Sequence, residues 1–282
     1  MTALRRPEPD WQPKVVALDI DGTLLKWVDG TGAAEEELPA AVHAAVNRAY
    51  DAGAHVVLAS GRSPHGMTII ADALGLPRDG DERLWIVASN GTVILRYPPV
   101  DVVHEETFDA REAVAAILER HPSALVAVEE RGVGYRLNGP FPPGELTGDM
   151  IVTPVEELVA QPVSRVIIRD PSSTAEDFVQ LGRELGLAGT SYFVGWTAWL
   201  DLAPVGVSKA SGLAYVVDQL GLEPSDVLAI GDGRNDIEML TWAGRGVAMG
   251  HAPDDVKEIA DAVTGTVDDD GAATELSYWF PA

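Results

Sequence analysis

Asp19 and Asp21 stand two residues apart where the apolar run Val15-Val16-Ala17-Leu18 ends, and Gly22-Thr23 follow at once. If that run is a strand, alternate side chains point the same way and both carboxylates project from one end. Two like charges so close repel unless a cation or a shared proton lies between them. The pair therefore suits a metal site with a nucleophile beside an acid, although an Asp-Gly turn that merely ends a strand accounts for the pentapeptide taken alone. Asp232, in Gly231-Asp232-Gly233-Arg234-Asn235-Asp236, is the natural third carboxylate. With Asp19 and a main-chain carbonyl it offers the hard oxygen ligands that Mg²⁺ takes while it keeps several waters and a phosphate oxygen. Asn235 and Asp236 follow at the start of a helix, placed to bond metal waters or to hold Lys209. A simple N-terminal acid favoured by the helix dipole is the other reading of Asp236.

Lysines are scarce, at positions 14, 26, 209 and 257. Lys209 opens a helix, the end that a cation ordinarily avoids, so a phosphate oxygen or Asp19 is needed to explain it. A solvent-facing lysine capped by Ser208 is the alternative. Ser60 and the amides of Gly61 and Arg62 can hold a phosphate at a turn before a helix, while Ser60 alone reads equally as a turn residue. The six histidines form no pair at metal-ligand spacing, and each is read as a surface or packing residue. Cysteine is absent, which excludes disulfides, thiolate nucleophiles and Cys-based zinc sites.

The elements that must position these groups alternate between short apolar runs and helix-like stretches, the pattern of an α/β fold with a doubly wound parallel sheet. Strands are expected at Val15–Asp19, His55–Ala59, Leu84–Ala88, Val227–Ile230 and Gly246–Met249. Helices are expected at Leu38–Ala52, after Pro64, and at Lys209–Leu220, Asn235–Ala243 and Pro253–Ala260. Between about Thr92 and Trp199 the pattern changes to an α+β block, with strands at Val93–Arg96, Ala124–Glu129, Gly134–Leu137, Arg165–Arg169, Thr190–Val194 and Trp199–Leu202. Helices fit Ala110–Arg120 and Thr174–Leu185 there. The expected division is a discontinuous core domain, 1–92 and 200–282, with 1–13 as a tail, and an inserted domain, 93–199. Every polar signature follows a strand of the outer block. Right-handed crossovers bring such strand ends to one edge of a parallel sheet, where these folds bind ligands.

The chain of 282 residues carries a formal charge of −24, from 44 acidic and 20 basic side chains. That balance argues against nucleic-acid or acidic-membrane binding, both of which need a basic surface. It leaves room for a small anionic substrate at a local cationic site. No apolar run reaches the ~20 residues needed to span a bilayer, and Met1–Pro13 has no apolar stretch, so a cytoplasmic protein is expected. Oligomeric state is not legible.

Asp19-Ile20-Asp21-Gly22-Thr23, Ser60-Gly61-Arg62, Lys209 and Gly231-Asp232-x-x-Asn235-Asp236 resemble, in order, the four motifs of the haloacid dehalogenase-like superfamily. Ala88-Ser89-Asn90-Gly91, Gly206-Val207-Ser208-Lys209 and Val247-Ala248-Met249-Gly250 are similar to strings of its Cof-type phosphatases, which carry a large α/β cap. The resemblance implies a Rossmann-like core with an inserted cap and a Mg²⁺-dependent phosphatase for small phosphorylated metabolites, sugar phosphates foremost. It implies Asp19 as nucleophile, forming an aspartyl-phosphate, and Asp21 as general acid and base. Mg²⁺ would be held by Asp19, the Asp21 carbonyl and Asp232, with Asp236 behind them. Ser60, Gly61, Arg62, Lys209 and Asn235 would bind substrate. A phosphotransferase or phosphomutase using the same intermediate is the alternative, and a non-catalytic phosphate-binding protein a more distant one. Ser60 stands where family members often carry Thr, and Lys26–Leu38 is a long acidic, Gly-rich segment. Within the insert, Arg131, Tyr135, Arg136, Trp196 and Trp199 are candidates for substrate contact by chemistry alone.

Overall fold

The computed structural model describes residues 11–26, 37–78, 80, 82–130, 133–174, 176–178, 180–181, 190–194 and 199–282. The first strand, β1 (Val15–Leu18), is buried throughout. Val16 and Leu18 join an apolar cluster on one side of the sheet, and Val15 and Ala17 join another on the opposite side. A strand apolar on both faces needs helices on both, and the chain supplies them. Ala40–Asp51, Pro64–Leu74 and Gly271–Trp279 cover the first face, while Lys209–Gln219, Ile237–Trp242 and Asp254–Ile259 cover the second.

Around β1 run β2 (His55–Ala59), β3 (Leu84–Ala88), β4 (Val93–Tyr97) and β5 (Asp101–Glu105). The smaller sheet comprises β6 (Leu125–Glu130), β7 (Gly134–Leu137), β8 (Asp149–Val152), β9 (Val166–Arg169), β10 (Thr190–Val194) and β11 (Trp199–Pro204). The chain then returns through β12 (Val227–Gly231), β13 (Arg245–Ala248) and β14 (Ala262–Val263). The larger sheet has the order β14-β13-β12-β1-β2-β3-β4-β5 and the smaller β10-β11-β9-β6-β7-β8. From β14 to β3 all pairs are parallel; β4 and β5 extend the edge antiparallel. The α/β class and doubly wound parallel sheet expected from the sequence are what is observed.

Sheet membership shifts the expected division of the chain. Val93–Glu105 belongs to the larger sheet, and Trp199–Pro204 to the smaller, so by pairing the insert runs from about residue 106 to 204. The pairing has a local cause: Ser89–Gly91 forms one tight turn that folds β4 straight back onto β3. Expected helix Thr174–Leu185 and the segment Lys26–Leu38 lie partly outside the described residues, and Arg131 and Trp196 wholly so.

The smaller sheet also has two unlike faces. Val126, Val128, Val166 and Ile168 pack with Val114, Ile117 and Phe178 of its helical side. The other face carries Ala127, Tyr135, Leu137 and Ile167, together with Phe141 and Leu146. Glu129, Arg165, Asp201 and Trp199 share that face by strand alternation and register, since Glu129 pairs with Tyr135 and Asp201 with Ile167. Among the described residues no helix is long and apolar enough to cross a membrane.

Candidate active site

Four loops at the carboxyl ends of β1, β2, β3 and β12 meet at one edge of the larger sheet. They are stitched by main-chain hydrogen bonds: Asp19 N–H donates to Ile230, Ser60 to Val87, Asn90 to Ser60, and Ser89 to Arg62. Gly22 sits at φ 86° in the turn after Asp21, a conformation that costs glycine no steric penalty. Gly91, at φ 101°, lies so close to the Lys209 helix that a Cβ there would stand 2.1 Å from the Ser208 carbonyl oxygen. That close approach sets where the helix begins. Ser208 caps it, accepting from Ser211 N–H in a reciprocal capping box.

Lys209 is thereby directed inward and is 1 % exposed. Its ammonium donates to Asp19 Oδ1 at 2.5 Å and to Asp236 Oδ1 at 2.6 Å. Burial opposes the charge on Lys209, but these carboxylates outweigh it and hold the lysine above its ordinary pKa. Asp236, fully buried, uses its other oxygen to accept from the amides of Asp232 and Gly233 at 3.0 and 2.9 Å. It therefore folds the Gly231–Asp236 turn around itself. Carboxylate oxygens of Asp19, Asp232 and Asp236 lie within 4.8 Å of one another. Burial, followed by the charge of Asp236, pushes Asp19 well above the usual carboxylate range. Asp236 is raised as well, first by burial.

Asp21 faces the Ser60-Gly61-Arg62 loop. Arg62 grips it in a fork, Nη2 to Oδ1 at 2.6 Å and Nε to Oδ2 at 2.9 Å. Asp21 and Asp19 thus diverge to different partners, although only Ile20 separates them. Four carboxylates here face the two cations Lys209 and Arg62. The excess of two negative charges, carried by hard oxygen donors, fits a divalent cation.

Ser60 is buried, and its Oγ accepts from Arg62 N–H at 3.3 Å. Gly61 lies against Asn90, whose side chain would stand 3.2 Å from a Cβ at that position. Asn235 donates from Nδ2 to Asn90 Oδ1 at 3.0 Å. Asp19, Asp21, Ser60, Gly61, Arg62, Lys209, Asp232, Asn235 and Asp236 therefore converge on one sheet edge.

Sequence reasoning missed three features. His251 stands with Nε2 3.4 Å from Asp232 Oδ2, while its Nδ1 accepts from Val267 N–H. The second contact leaves the Nε2 proton facing the carboxylate. Its only signal was position, just past β13 on the same sheet edge. Asn90 was visible only within a string. The third feature is a buried polar cluster on the smaller sheet, which reaches the site through Ser89: Ser89 Oγ donates to Glu129 Oε2 at 2.6 Å. Burial pushes the Glu129 carboxyl up, against the pull of Arg165 and Ser89. Of the residues proposed in the insert, Tyr135 is on this face, buried, with Ser63 beside its hydroxyl. Trp199 donates from Nε1 to Asp201 at 3.2 Å. Arg136 is directed elsewhere and pairs with Glu130 at 2.7 Å.

The family model of the haloacid dehalogenase-like hydrolases matches residues 16–276 of the chain. YkrA of Bacillus subtilis is 30 % identical over 275 residues, covering 92 % of this chain and 95 % of that one. The B. subtilis 5-amino-6-(5-phospho-D-ribitylamino)uracil phosphatase YcsE is 27 % identical, with 94 % and 95 % covered. The structure of BT1666 from Bacteroides thetaiotaomicron, a phosphatase of this superfamily, superposes with a TM-score of 0.76 at 28 % identity, covering 98 % of both chains. The chain thus belongs to the haloacid dehalogenase-like hydrolases, and within them it fits the Cof-type phosphatases.

Proposed function

We propose that the protein hydrolyses small phosphorylated metabolites, sugar phosphates foremost, with Mg²⁺ and through an aspartyl-phosphate on Asp19. The observation that carries this reading is the buried Lys209 bridging Asp19 and Asp236 next to an acid, Asp21, held apart by Arg62. A protein that only bound phosphate would have no use for an acid beside a nucleophile. YcsE, named for a phosphoribityl substrate, supports a polyol phosphate as the substrate type.

Asp19 and Asp232, with the Asp21 carbonyl, would hold the metal, and Asp236 would keep Lys209 and the Asp232 loop in register. When bound, Mg²⁺ supplies Lewis-acid neutralisation of phosphoryl charge. Lys209, Ser60, the Gly61 and Arg62 amides and Asn235 surround the position of the phosphoryl group and stabilise charge that grows on its oxygens. A carboxylate oxygen of Asp19 attacks phosphorus, and the bond to the leaving oxygen breaks. Asp21 delivers a proton to that oxygen, so an alcohol departs. For this, Asp21 must leave the Arg62 fork, and the phosphoryl group competes for the same guanidinium. Asp21 then takes a proton from water, which attacks phosphorus and returns Asp19 to its carboxylate.

The test is phosphate release from a panel of phosphorylated sugars, nucleotides and cofactors, with Mg²⁺ and with EDTA, alongside Asp19→Asn. The expected result is metal-dependent release that is abolished in the variant while its fold is kept. Full activity in Asp19→Asn removes the covalent mechanism, and transfer to an added alcohol in place of release identifies a phosphotransferase.

A further inference from the structure

Glu129, Arg165 and Asp201 come from β6, from the residue before β9, and from β11, and they meet on the face of the smaller sheet that touches the catalytic loops. Arg165 is spent on Asp201, donating from Nε to Oδ1 at 3.1 Å and from Nη2 to Oδ2 at 2.9 Å. Its remaining nitrogen, Nη1, stands 3.7 Å from Glu129 Oε2, an attraction too long for a hydrogen bond. Glu129 Oε2 takes its proton donor from Ser89 of the core. Glu129 Oε1 is buried and has no hydrogen-bond partner among the described residues. The Glu129 side chain is 2 % exposed. A buried carboxylate oxygen left without a donor is costly, so this one calls for a partner.

Its place says which. Ser89 bonds through its amide to Arg62, which grips Asp21, and the next residue, Asn90, bonds Asn235. Glu129 therefore lies directly behind the loop that joins Arg62, Asp21 and Asn235, with Tyr135 on the neighbouring strand. Glu129, Arg165 and Asp201 together carry one net negative charge. A hydroxyl of the substrate satisfies the open acceptor, whereas a second phosphate or a carboxylate meets like charge, and Arg165 beside it is already paired with Asp201.

Resting on the phosphatase reading above, we infer that Glu129 determines specificity: its Oε1 accepts from a second hydroxyl of the leaving alcohol, and the Glu129–Arg165–Asp201 set turns away leaving groups that bear another anion. The substrates are then phosphomonoesters of neutral polyols. Arg165 and Asp201 are positioning residues, which fix the Glu129 carboxylate without touching the substrate. Any anion approaching Glu129 adds to the burial that already works against its charge.

The experiment compares kcat/KM of the full chain for p-nitrophenyl phosphate, glycerol phosphate, ribose phosphate and fructose bisphosphate in Mg²⁺. The variants are Glu129→Ala, Glu129→Gln and Ser89→Ala, each checked for fold by circular dichroism. Loss of one charge-assisted hydrogen bond predicts a roughly 10–100-fold fall for the polyol monophosphates in Glu129→Ala. The aryl phosphate, which has no second hydroxyl, stays within about threefold by the same reasoning. Glu129→Gln, which removes charge and keeps shape, raises the bisphosphate relative to the monophosphates, and it decides alone if the alanine variant fails to fold. Ser89→Ala, which loosens the Glu129 carboxylate but keeps its charge, changes the selectivity less than either Glu129 variant. Unchanged selectivity in both Glu129 variants overturns the inference, as does an equal change in Ser89→Ala, which would make Glu129 a strut between the two sheets. Wild-type protein inert toward every compound overturns the phosphatase reading itself, and the role of Glu129 with it.

Discussion

Replacing Asp236 with alanine removes three interactions at once, and their sizes can be worked out separately. Lys209 loses a charge-assisted hydrogen bond of 2.6 Å but keeps Asp19 at 2.5 Å, so its ammonium is not stranded. That loss is about 1.5–3 kcal/mol. The amide of Asp232, buried with its residue, is left without its acceptor at a cost of about 1–3 kcal/mol. The Gly233 amide sits in a partly exposed residue and recovers most of its bond from water. Relief of the repulsion that Asp236 exerts on Asp19 returns a fraction. The sum is a destabilisation of about 3–5 kcal/mol. Urea unfolding in EDTA at neutral pH, followed by tryptophan fluorescence, reads it directly. With a slope of roughly 3 kcal/mol/M, the midpoint falls by about 1–1.7 M. A fall below about 0.3 M, equivalent to roughly 1 kcal/mol, would refute the view that this carboxylate organises the loop.

Gly91→Ala places a Cβ against the Ser208 carbonyl at a left-handed φ, and a loss of about 3 kcal/mol should lower the melting temperature by roughly 6–12 °C; a change within 2 °C of ~0 contradicts the close approach. Mg²⁺ at about a hundred times its Kd should stabilise the wild type by about 2.7 kcal/mol and Asp232→Asn far less, read as the shift in melting temperature on adding metal to EDTA-stripped protein. Asp21→Asn should slow turnover of a poor leaving group by roughly 10²–10⁴, and a drop under tenfold takes Asp21 out of its proposed role. Burial works against the charge on Asp170, but hydrogen bonds from Ser172, Ser173 and His121 outweigh it and hold its carboxyl well below the usual range. A depressed folded-state pKa gives stability that is complete above the ordinary carboxyl value of about 4 and is lost as pH falls toward the folded value. The stability gap between wild type and Asp170→Ala should thus be full at neutral pH and shrink in urea titrations carried out progressively below pH ~4; a gap independent of pH contradicts this.

The edge on which the candidate residues converge was legible because each of its signals is local. Asp19 and Asp21 are two residues apart, Lys209 is one of four lysines and opens a helix, and Asp232, Asn235 and Asp236 lie in one turn. The order of β14-β13-β12-β1-β2-β3 follows from alternating strands and helices with right-handed crossovers. What stayed hidden depends on pairing between distant segments. Glu129, Arg165 and Asp201 are separated by up to 72 residues, and only the register of β6, β9 and β11 puts them on one face. β8 escaped notice for another reason: Met150, Ile151 and Val152 are 46 %, 53 % and 69 % exposed, so this edge strand has no buried face to impose alternation. The C-terminal helix Gly271–Trp279 begins on Asp270 in a left-handed conformation, without a side-chain cap, so its start carries no sequence signature. Val93-Ile94-Leu95 was legible as a strand, but nothing in a buried apolar run says which sheet it joins.

The two crossings between the sheets lie side by side. His104 and Glu106, where the chain leaves the larger sheet, and Pro204 and Val207, where it returns, line one shallow cleft. Two neighbouring tethers act as a pair of pins on a single jamb: they permit rotation about the line that joins them and resist sliding or twisting. The Ser89–Glu129 hydrogen bond adds a further link between the two sheets, one residue from Asn90, which bonds Asn235. Two adjacent covalent tethers and one polar contact thus join the sheets along the side that carries the Asn90 loop.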